Sequence, residues 1–309
     1  MSERILIADD DPDILRFIEV NLSLEGFDLI VASDGETALQ SAIDELPDLV
    51  LLDVMMPKID GFEVCRRLRA DPRTSNVSVI MLTAKSLSAD KVVGLTAGAD
   101  DYIIKPFDPI ELIARVRSTL RRAKDIRDLN PLTGLPGNVV ILQELERRIN
   151  RDEPFALMHV DLDNFKAFND YYGFMRGDLA IKLTAKVLGQ SAMDKGQSRA
   201  FVGHIGGDDF AIICSPDMAE VVAKEIIERF DEQISSLYDP EDAERGSITI
   251  KDRRDEVQQY PLMTISIGIS GNSLRKVESH LEASEIATEM KQFAKRQSGS
   301  CYLVDRRSD

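Results

Sequence analysis

Two adjacent carboxylates, Asp208 and Asp209, directly follow a pair of glycines, Gly206 and Gly207, and precede Phe210. Apolar, strand-like runs flank them, Arg199 to Ile205 before and Phe210 to Cys214 after. Glycine reaches positive φ without steric cost, so the stretch reads first as a tight hairpin turn. Folding alone does not account for the acids. Aspartate is depleted in strands, and two like charges side by side repel unless a cation stands between them. A divalent metal and phosphate groups suit such a pair. Upstream, Phe155 to Asp161 reads as a buried strand that delivers Asp161 at its end, and Asp163 reads as the N-cap of a helix starting near Phe165. With Asp161 and Asp208 on neighbouring strands, the site would hold Mg²⁺, or Mn²⁺ in its place. Mg²⁺ takes a few carboxylates together with substrate phosphate oxygens in an octahedral shell.

A second set of chemistry-bearing residues occupies the first third of the chain. Five apolar runs, Arg4 to Ala8, Asp28 to Ala32, Asp48 to Leu52, Val77 to Leu82 and Tyr102 to Ile104, alternate with amphipathic helical segments such as Ile14 to Leu24 and Glu63 to Arg69. This alternation predicts an α/β domain with a doubly wound, five-stranded parallel sheet. Working residues gather at the carboxyl ends of such strands. Asp9 and Asp10 follow the first run, Asp53 the third, Thr83 the fourth and Lys105 the fifth.

Taken with its neighbours, the hairpin resembles the GGDEF domain of diguanylate cyclases. The matching stretches are Leu132-Thr-Gly-Leu-Pro136, Asp161-Leu-Asp-Asn-Phe-Lys166-Ala-Phe-Asn169-Asp, Gly177-Asp178 and Gly206-Gly-Asp-Asp-Phe210, in the family's order, over roughly Asn130 to Asp305. The resemblance implies an α+β, nucleotidyl-cyclase-like fold that condenses two GTP into cyclic di-GMP and pyrophosphate. It implies that Asp161, the carbonyl of Leu162 and Asp208 bind metal, with Asp208 also the base for the ribose 3′-hydroxyl and Asp209 an auxiliary metal or acid/base group. Asn169 and Asp178 match the pair that reads the guanine edge, an amide and a carboxylate suiting a base with donors and an acceptor. Gly206 and Gly207 would border the substrate, and Lys166 and Lys295 would meet the triphosphate as point charges.

The chain departs from the commoner pattern at several positions. Asp209 stands where glutamate is usual and reaches one methylene less far. His204 stands two residues before the glycines where arginine is common, and reads as a strand residue with a satisfied hydrogen bond. Ser300 lies near another common arginine position, Asn130 replaces an aspartate, and Gly137 is an extra residue before Asn138. The usual Arg-x-x-Asp product-inhibition site aligns with Gln197-Ser198-Arg199-Ala200, which lacks both charged groups, so inhibition by cyclic di-GMP through that site is expected to be absent.

The first third resembles a response-regulator receiver domain over about residues 2 to 122, through Asp9-Asp10, Asp53 with Met56-Pro57, Thr83-Ala84 and Lys105-Pro106. The resemblance implies that Asp53 accepts a phosphoryl group from a cognate histidine kinase as an acyl phosphate. It implies that Asp9, Asp10 and the carbonyl of Met55 hold Mg²⁺. Thr83 and Lys105 would grip the phosphoryl oxygens, and Tyr102 would be the aromatic whose rotamer reports the event.

Length and composition agree with two domains: 1 to 122, a helical linker 123 to 131, and 132 to 309. A net charge of -16 argues against nucleic-acid or membrane-surface partners. No apolar run approaches a membrane span, and Met1-Ser2-Glu3 leads into a strand with no signal peptide, so a cytoplasmic protein is expected. Cys65, Cys214 and Cys301 offer neither metal spacing nor an even disulfide set. From Pro109 to Leu129 a helical pattern carries apolar residues at Ile113, Val116, Leu120 and Ala123, the spacing of a short coiled coil joining a homodimer, although the same stripe would also pack on the preceding domain. Met218 to Leu237 reads as a long helix, and residues 238 to 260 as an extended surface hairpin. Two functional classes follow: an active, phosphorylation-controlled cyclase, or a degenerate GGDEF module that binds nucleotide or protein without catalysis.

Overall fold

The computed structural model describes residues 2–84, 97–196, 200–251 and 257–308. The chain divides into two compact units, residues 1–127 and 128–309.

In the first unit, β1 (Arg4–Ala8), α1 (Pro12–Leu24), β2 (Asp28–Ala32), α2 (Gly35–Glu45), β3 (Leu49–Asp53), α3 (Gly61–Ala70), β4 (Ser78–Ala84), β5 (Asp101–Lys105) and α4 (Pro109–Arg127) follow one another. The sheet order is β2-β1-β3-β4-β5, with every pairing parallel. This is the doubly wound α/β sheet expected. Both faces are apolar: Leu6, Val50, Leu52, Val79 and Met81 pack to one side, Ile5, Ile7, Leu49, Leu51, Ile80 and Leu82 to the other. Strands buried on both faces read as continuous apolar runs. Asp11 caps α1 through the N–H groups of Asp13 and Ile14, with Pro12 at the first helical position, which separates its capping role from that of Asp9 and Asp10. Along α4 the apolar stripe is used internally. Leu112, Val116 and Leu120 are buried against the sheet with Ile113 beside them, so the surface expected to seed a coiled coil is committed to this unit's own core. Beyond it, Ile126 is exposed.

The second unit contains α5 (Asn138–Asn150), β6 (Ala156–Asp163), α6 (Phe165–Tyr172), α7 (Phe174–Lys195), β7 (Phe201–Gly206), β8 (Asp209–Cys214), α8 (Pro216–Ile234), α9 (Pro240–Arg245), β9 (Ser247–Lys251), β10 (Val257–Pro261), β11 (Thr264–Gly271), α10 (His280–Ala294) and β12 (Cys301–Val304). Its main sheet runs β12-β11-β6-β8-β7, mixed in direction, while β9 and β10 form a separate antiparallel pair. This is the α+β domain expected. Met158, Val160, Leu162, Phe210 and Ile212 bury one sheet face against α7 and α8. Leu157, Ala211 and Ile213 bury part of the other against α5 and α10. Residues 238–260 do contain the expected strand Ser247–Lys251, but Tyr238, Asp242 and Ile248 are buried, so this segment is docked on the domain and not simply solvated. The expected turn at Asp252 to Asp255 lies outside the described residues.

Candidate functional site

The glycine pair forms a two-residue hairpin. Gly206 pairs with Asp209 across the ladder, leaving Gly207 and Asp208 as the turn, with φ of 59° at Gly207. Asp209 therefore opens β8, and its register partner on the neighbouring strand is Asp161. Strand alternation puts Leu157, His159, Asp161 and Asp163 of β6 on one face, the face shared with Asp209. The sequence-predicted carboxylates Asp161, Asp208 and Asp209 thus converge at one edge of β6 and β8.

Their environments differ. Burial, reinforced by the charge of Asp161, pushes the Asp208 carboxyl above its ordinary range. Burial acts upward on Asp209 too, but hydrogen bonds from His159 and Lys291 outweigh it and hold this carboxyl well below the usual range. Lys291 Nζ lies 2.6 Å from Asp209 Oδ1 and 3.0 Å from Asp161 Oδ2. Lys295 forms an ion pair with Asp161 Oδ1. That oxygen is buried and accepts no well-directed hydrogen bond, so it retains lone-pair capacity for a cation. With Asp208 it offers the hard oxygen donors that Mg²⁺ takes, and the residues fit that ion. Leu162 is buried, its side chain in the opposite face of the sheet.

Lys291 and His159 escape sequence reading. Lysine on a helix reads as a solvated residue, and histidine inside an apolar strand reads as filler. His159 Nδ1 is 3.0 Å from Thr288 Oγ1, whose own proton goes to the Ser284 carbonyl at 2.7 Å. Thr288 thus fixes the imidazole ring and sets Nε2 3.0 Å from Asp209 Oδ1. The available signal was positional: Lys291 falls on the buried stripe of α10 with Ala283, Ile286, Ala287 and Ala294.

One local expectation is corrected. Asp163 does not cap α6, because β6 continues through it and turns its carboxylate onto Thr264 and Ser266 at 2.9 and 2.7 Å. Burial raises this carboxyl's pKa against those hydroxyl bonds. The cap position belongs to Asn164, left-handed at φ 62° and without a side-chain capping bond.

Asn169 of α6 lies against Gly177 of α7. A Cβ at Gly177 would sit 1.8 Å from Asn169 Oδ1, so only glycine leaves room for the amide. Asn169 Oδ1 is buried without a hydrogen-bond partner among the described residues, and Asp178 follows Gly177 on α7. Lys166 stands exposed on the first turn of α6.

The departures have structural uses. His204 is buried, with Nδ1 3.1 Å from Thr133 Oγ1 and Nε2 3.0 Å from the Gly207 carbonyl, and it stacks on Phe210. Its N–H bonds the Pro136 carbonyl, so it ties the Leu132 to Pro136 loop to the hairpin. Asn130 Oδ1 accepts the N–H groups of Leu132 and Thr133, closing that loop from within. Ser300 donates to Asp231 and accepts the N–H of Ile265, away from the carboxylates. Of the segment aligned with the usual inhibition site, Gln197, Ser198 and Arg199 lie outside the described residues.

In the first unit, Asp9, Asp10 and Asp53 bring carboxylate oxygens within 4.8 Å of one another, a donor set that fits Mg²⁺. Lys105 Nζ reaches Asp9 at 2.6 Å and Asp53 at 2.5 Å. Burial raises the Asp53 carboxyl while Lys105 opposes it. Met55 N–H donates to Asp53 Oδ2 at 2.8 Å, and Met55 and Thr83 line the same cleft of about 610 Å³. A Cβ at Gly61 would lie 2.2 Å from the Asp53 carbonyl, so this glycine lets α3 start against the site. The Tyr102 hydroxyl is buried without a partner among the described residues, and burial pushes it up to about 12.

Two family models match the chain: the response regulator receiver domain over residues 5–117 and the diguanylate cyclase GGDEF domain over residues 127–299. The chain is 52% identical over 125 residues to the DNA-binding response regulator MtrA of Mycolicibacterium smegmatis, covering 40% of this chain and 54% of that protein. It is 50% identical over 124 residues to the alkaline phosphatase synthesis transcriptional regulatory protein PhoP of Bacillus subtilis, covering 40% and 51%. It spans about half the length of these curated relatives. A solved putative response regulator from Chloroflexus aurantiacus shares 40% identity, covering 40% of this chain and all of that one, with a TM-score of 0.39.

Proposed function

The chain belongs to the diguanylate cyclase GGDEF-domain family and carries a response regulator receiver domain ahead of that domain, and from that premise we propose that it condenses two GTP into cyclic di-GMP under control of phosphorylation at Asp53. The observation that carries the reading is the register of β6 and β8, which sets Asp161 opposite Asp209 with Asp208 in the turn.

In this reading the guanine edge meets Asn169 Oδ1, whose buried lone pairs lack a partner, and Asp178 beside it. Leaving such an acceptor unpaired costs about 1–3 kcal/mol, so a base that donates to it is favoured over one that does not. Lys166 and Lys295 neutralise the triphosphate. A bound Mg²⁺ would stabilise charge on the phosphoryl oxygens and pyrophosphate. Asp208, with its carboxyl pushed up by burial and Asp161, takes the proton of the ribose 3′-hydroxyl as that oxygen attacks the α-phosphorus in line. A two-fold symmetric product needs two half-sites facing each other, hence a homodimer. Asp53 takes its phosphoryl group from a histidine kinase, with Thr83 and Lys105 holding the oxygens and Tyr102 reporting the change. A cytoplasmic setting is consistent with the finding that, among the described residues, no helix is long and apolar enough to cross a membrane.

The test is pyrophosphate release from GTP and from ATP by wild type and by Asp208→Asn. Release from GTP alone, lost in the variant, supports the reading; release at equal rates in both proteins contradicts it. A non-catalytic nucleotide-binding module is favoured by one observation, the engagement of Asp209 by Lys291. GTP binding without pyrophosphate release would select it.

A further inference from the structure

The sheet face that carries the catalytic carboxylates is also covered by α10. Leu157, Ala211 and Ile213 on that face pack with Ala283 and Ala287 of α10 in an apolar cluster. Lys291 lies one helical turn beyond Ala287, at a position where this packing calls for an apolar side chain. The approach is close because of Gly268 on β11. A Cβ there would lie 2.0 Å from the Ala287 carbonyl oxygen and 2.2 Å from Lys291 N. The helix backbone therefore rests directly on the sheet, and the lysine is lowered between β6 and β8.

Its ammonium is surrounded. Asp209 Oδ1 is at 2.6 Å, Asp161 Oδ2 at 3.0 Å and His159 Nε2 at 3.3 Å, and the side chain is 10% exposed. His159 is itself fixed by Thr288, so the arrangement has a preset floor. Two carboxylates on adjacent strands repel unless a cation lies between them, and here the chain supplies that cation itself. Withdrawing Lys291 toward solvent would leave Asp161 with Lys295 alone and the half-buried Asp209 with His159 alone, which is costlier than retaining it. Asp209 contributes through its length, because a side chain this short stays at the sheet and meets Lys291 instead of reaching further out.

We propose that Lys291 is a built-in cation that permanently bridges Asp161 and Asp209 and stands in for a second divalent ion, so that the site recruits one divalent ion with each nucleotide, at Asp208 and the Asp161 Oδ1 edge that Lys295 pairs. The proposal rests on the reading of this site as a GTP site. It makes Lys291 a positioning residue for Asp209 and Asp161, with His159 as its support.

The test counts ions, independently of turnover. Full-length protein is titrated with Mn²⁺ and free Mn²⁺ is followed by electron paramagnetic resonance. The titration is done with and without guanosine 5′-(α,β-methylene)triphosphate, whose α–β linkage does not release pyrophosphate. Ions held by the receiver pocket appear in both arms and cancel. The expected result is one additional Mn²⁺ per bound analogue in wild type and two in Lys291→Met. His159→Phe combined with Lys291→Met, which fills the face with apolar groups, gives the same comparison should the single variant fold poorly. Two additional ions in wild type, or one in both wild type and the folded variants, would overturn the proposal. Failure of the analogue to bind with Mn²⁺ present would overturn it on different ground, by removing the GTP site itself.

Discussion

Asp208 and Asp209 are neighbours in sequence yet sit in opposite electrostatic conditions. Asp208 is raised by burial and by Asp161, while Asp209 is held low by His159 and Lys291. Adjacent acids whose affinities for protons are driven apart suit a division of labour between proton acceptor and fixed charge. Replacing Asp208 by Asn should lower the rate of product formation by about 10²–10⁴-fold, the ordinary contribution of a positioned base, as read by pyrophosphate release. Asn169→Ala should instead act on recognition. About 1–3 kcal/mol, roughly 5- to 150-fold in the GTP-to-ATP affinity ratio, is expected to disappear in the same binding experiment. His204 gives a pH signature. Burial lowers its pKa, against the bond to the Gly207 carbonyl, so the unfolded chain takes up a proton before the folded one does. Its contribution is present at neutral and higher pH and declines as pH falls through 6.5, the ordinary value. The urea midpoint should therefore drop more between pH 7.5 and 5.5 for wild type than for His204→Gln; equal drops would contradict the assignment. At this scale, Asp161, Asp208 and Asp209 were legible because turn glycines and strand alternation are local signals. Lys291 was not, since its burial depends on Gly268, which is distant in sequence.

At the scale of elements, α10 and β11 are the pair that sets the site's geometry. The contact at Gly268 has no room for a methyl group, so Gly268→Ala should destabilise the second unit by about 1–3 kcal/mol, as overpacking does. It should also move Lys291 away from Asp209. Urea unfolding reads the first effect; a variant as stable as wild type would show that α10 is not seated on the sheet as described. The receiver elements were readable almost completely, because strands buried on both faces and amphipathic helices leave strong periodic signals. Where the reading failed, a boundary was decided by something nonlocal. Asp163 was lost to β6 because Thr264 and Ser266 on β11 compete for its carboxylate. Gly173, at φ 84°, lets α7 begin directly after α6. The stripe on α4 allowed either a coiled coil or packing on its own unit, and Val116 and Leu120 are seen in the second role.

For the whole molecule, the proposed chemistry couples two units with separate cores. In that proposal each half-site would contribute one GTP to a two-fold symmetric product, so activity should rise with protein concentration until dimers predominate. Phosphorylation at Asp53 would then act by shifting a population between productive and unproductive arrangements of the half-sites. Sedimentation with and without beryllium fluoride, which mimics the acyl phosphate, should show a change in dimer content or shape; identical profiles would detach the receiver from that role. The most direct test of the central claim is mass-resolved chromatography of the products formed from GTP and Mg²⁺ by purified full-length protein, beside Asp208→Asn. The account predicts cyclic di-GMP in the wild-type reaction, altered in amount by beryllium fluoride, and essentially none with the variant. GTP recovered unchanged from a protein that binds it would contradict the account.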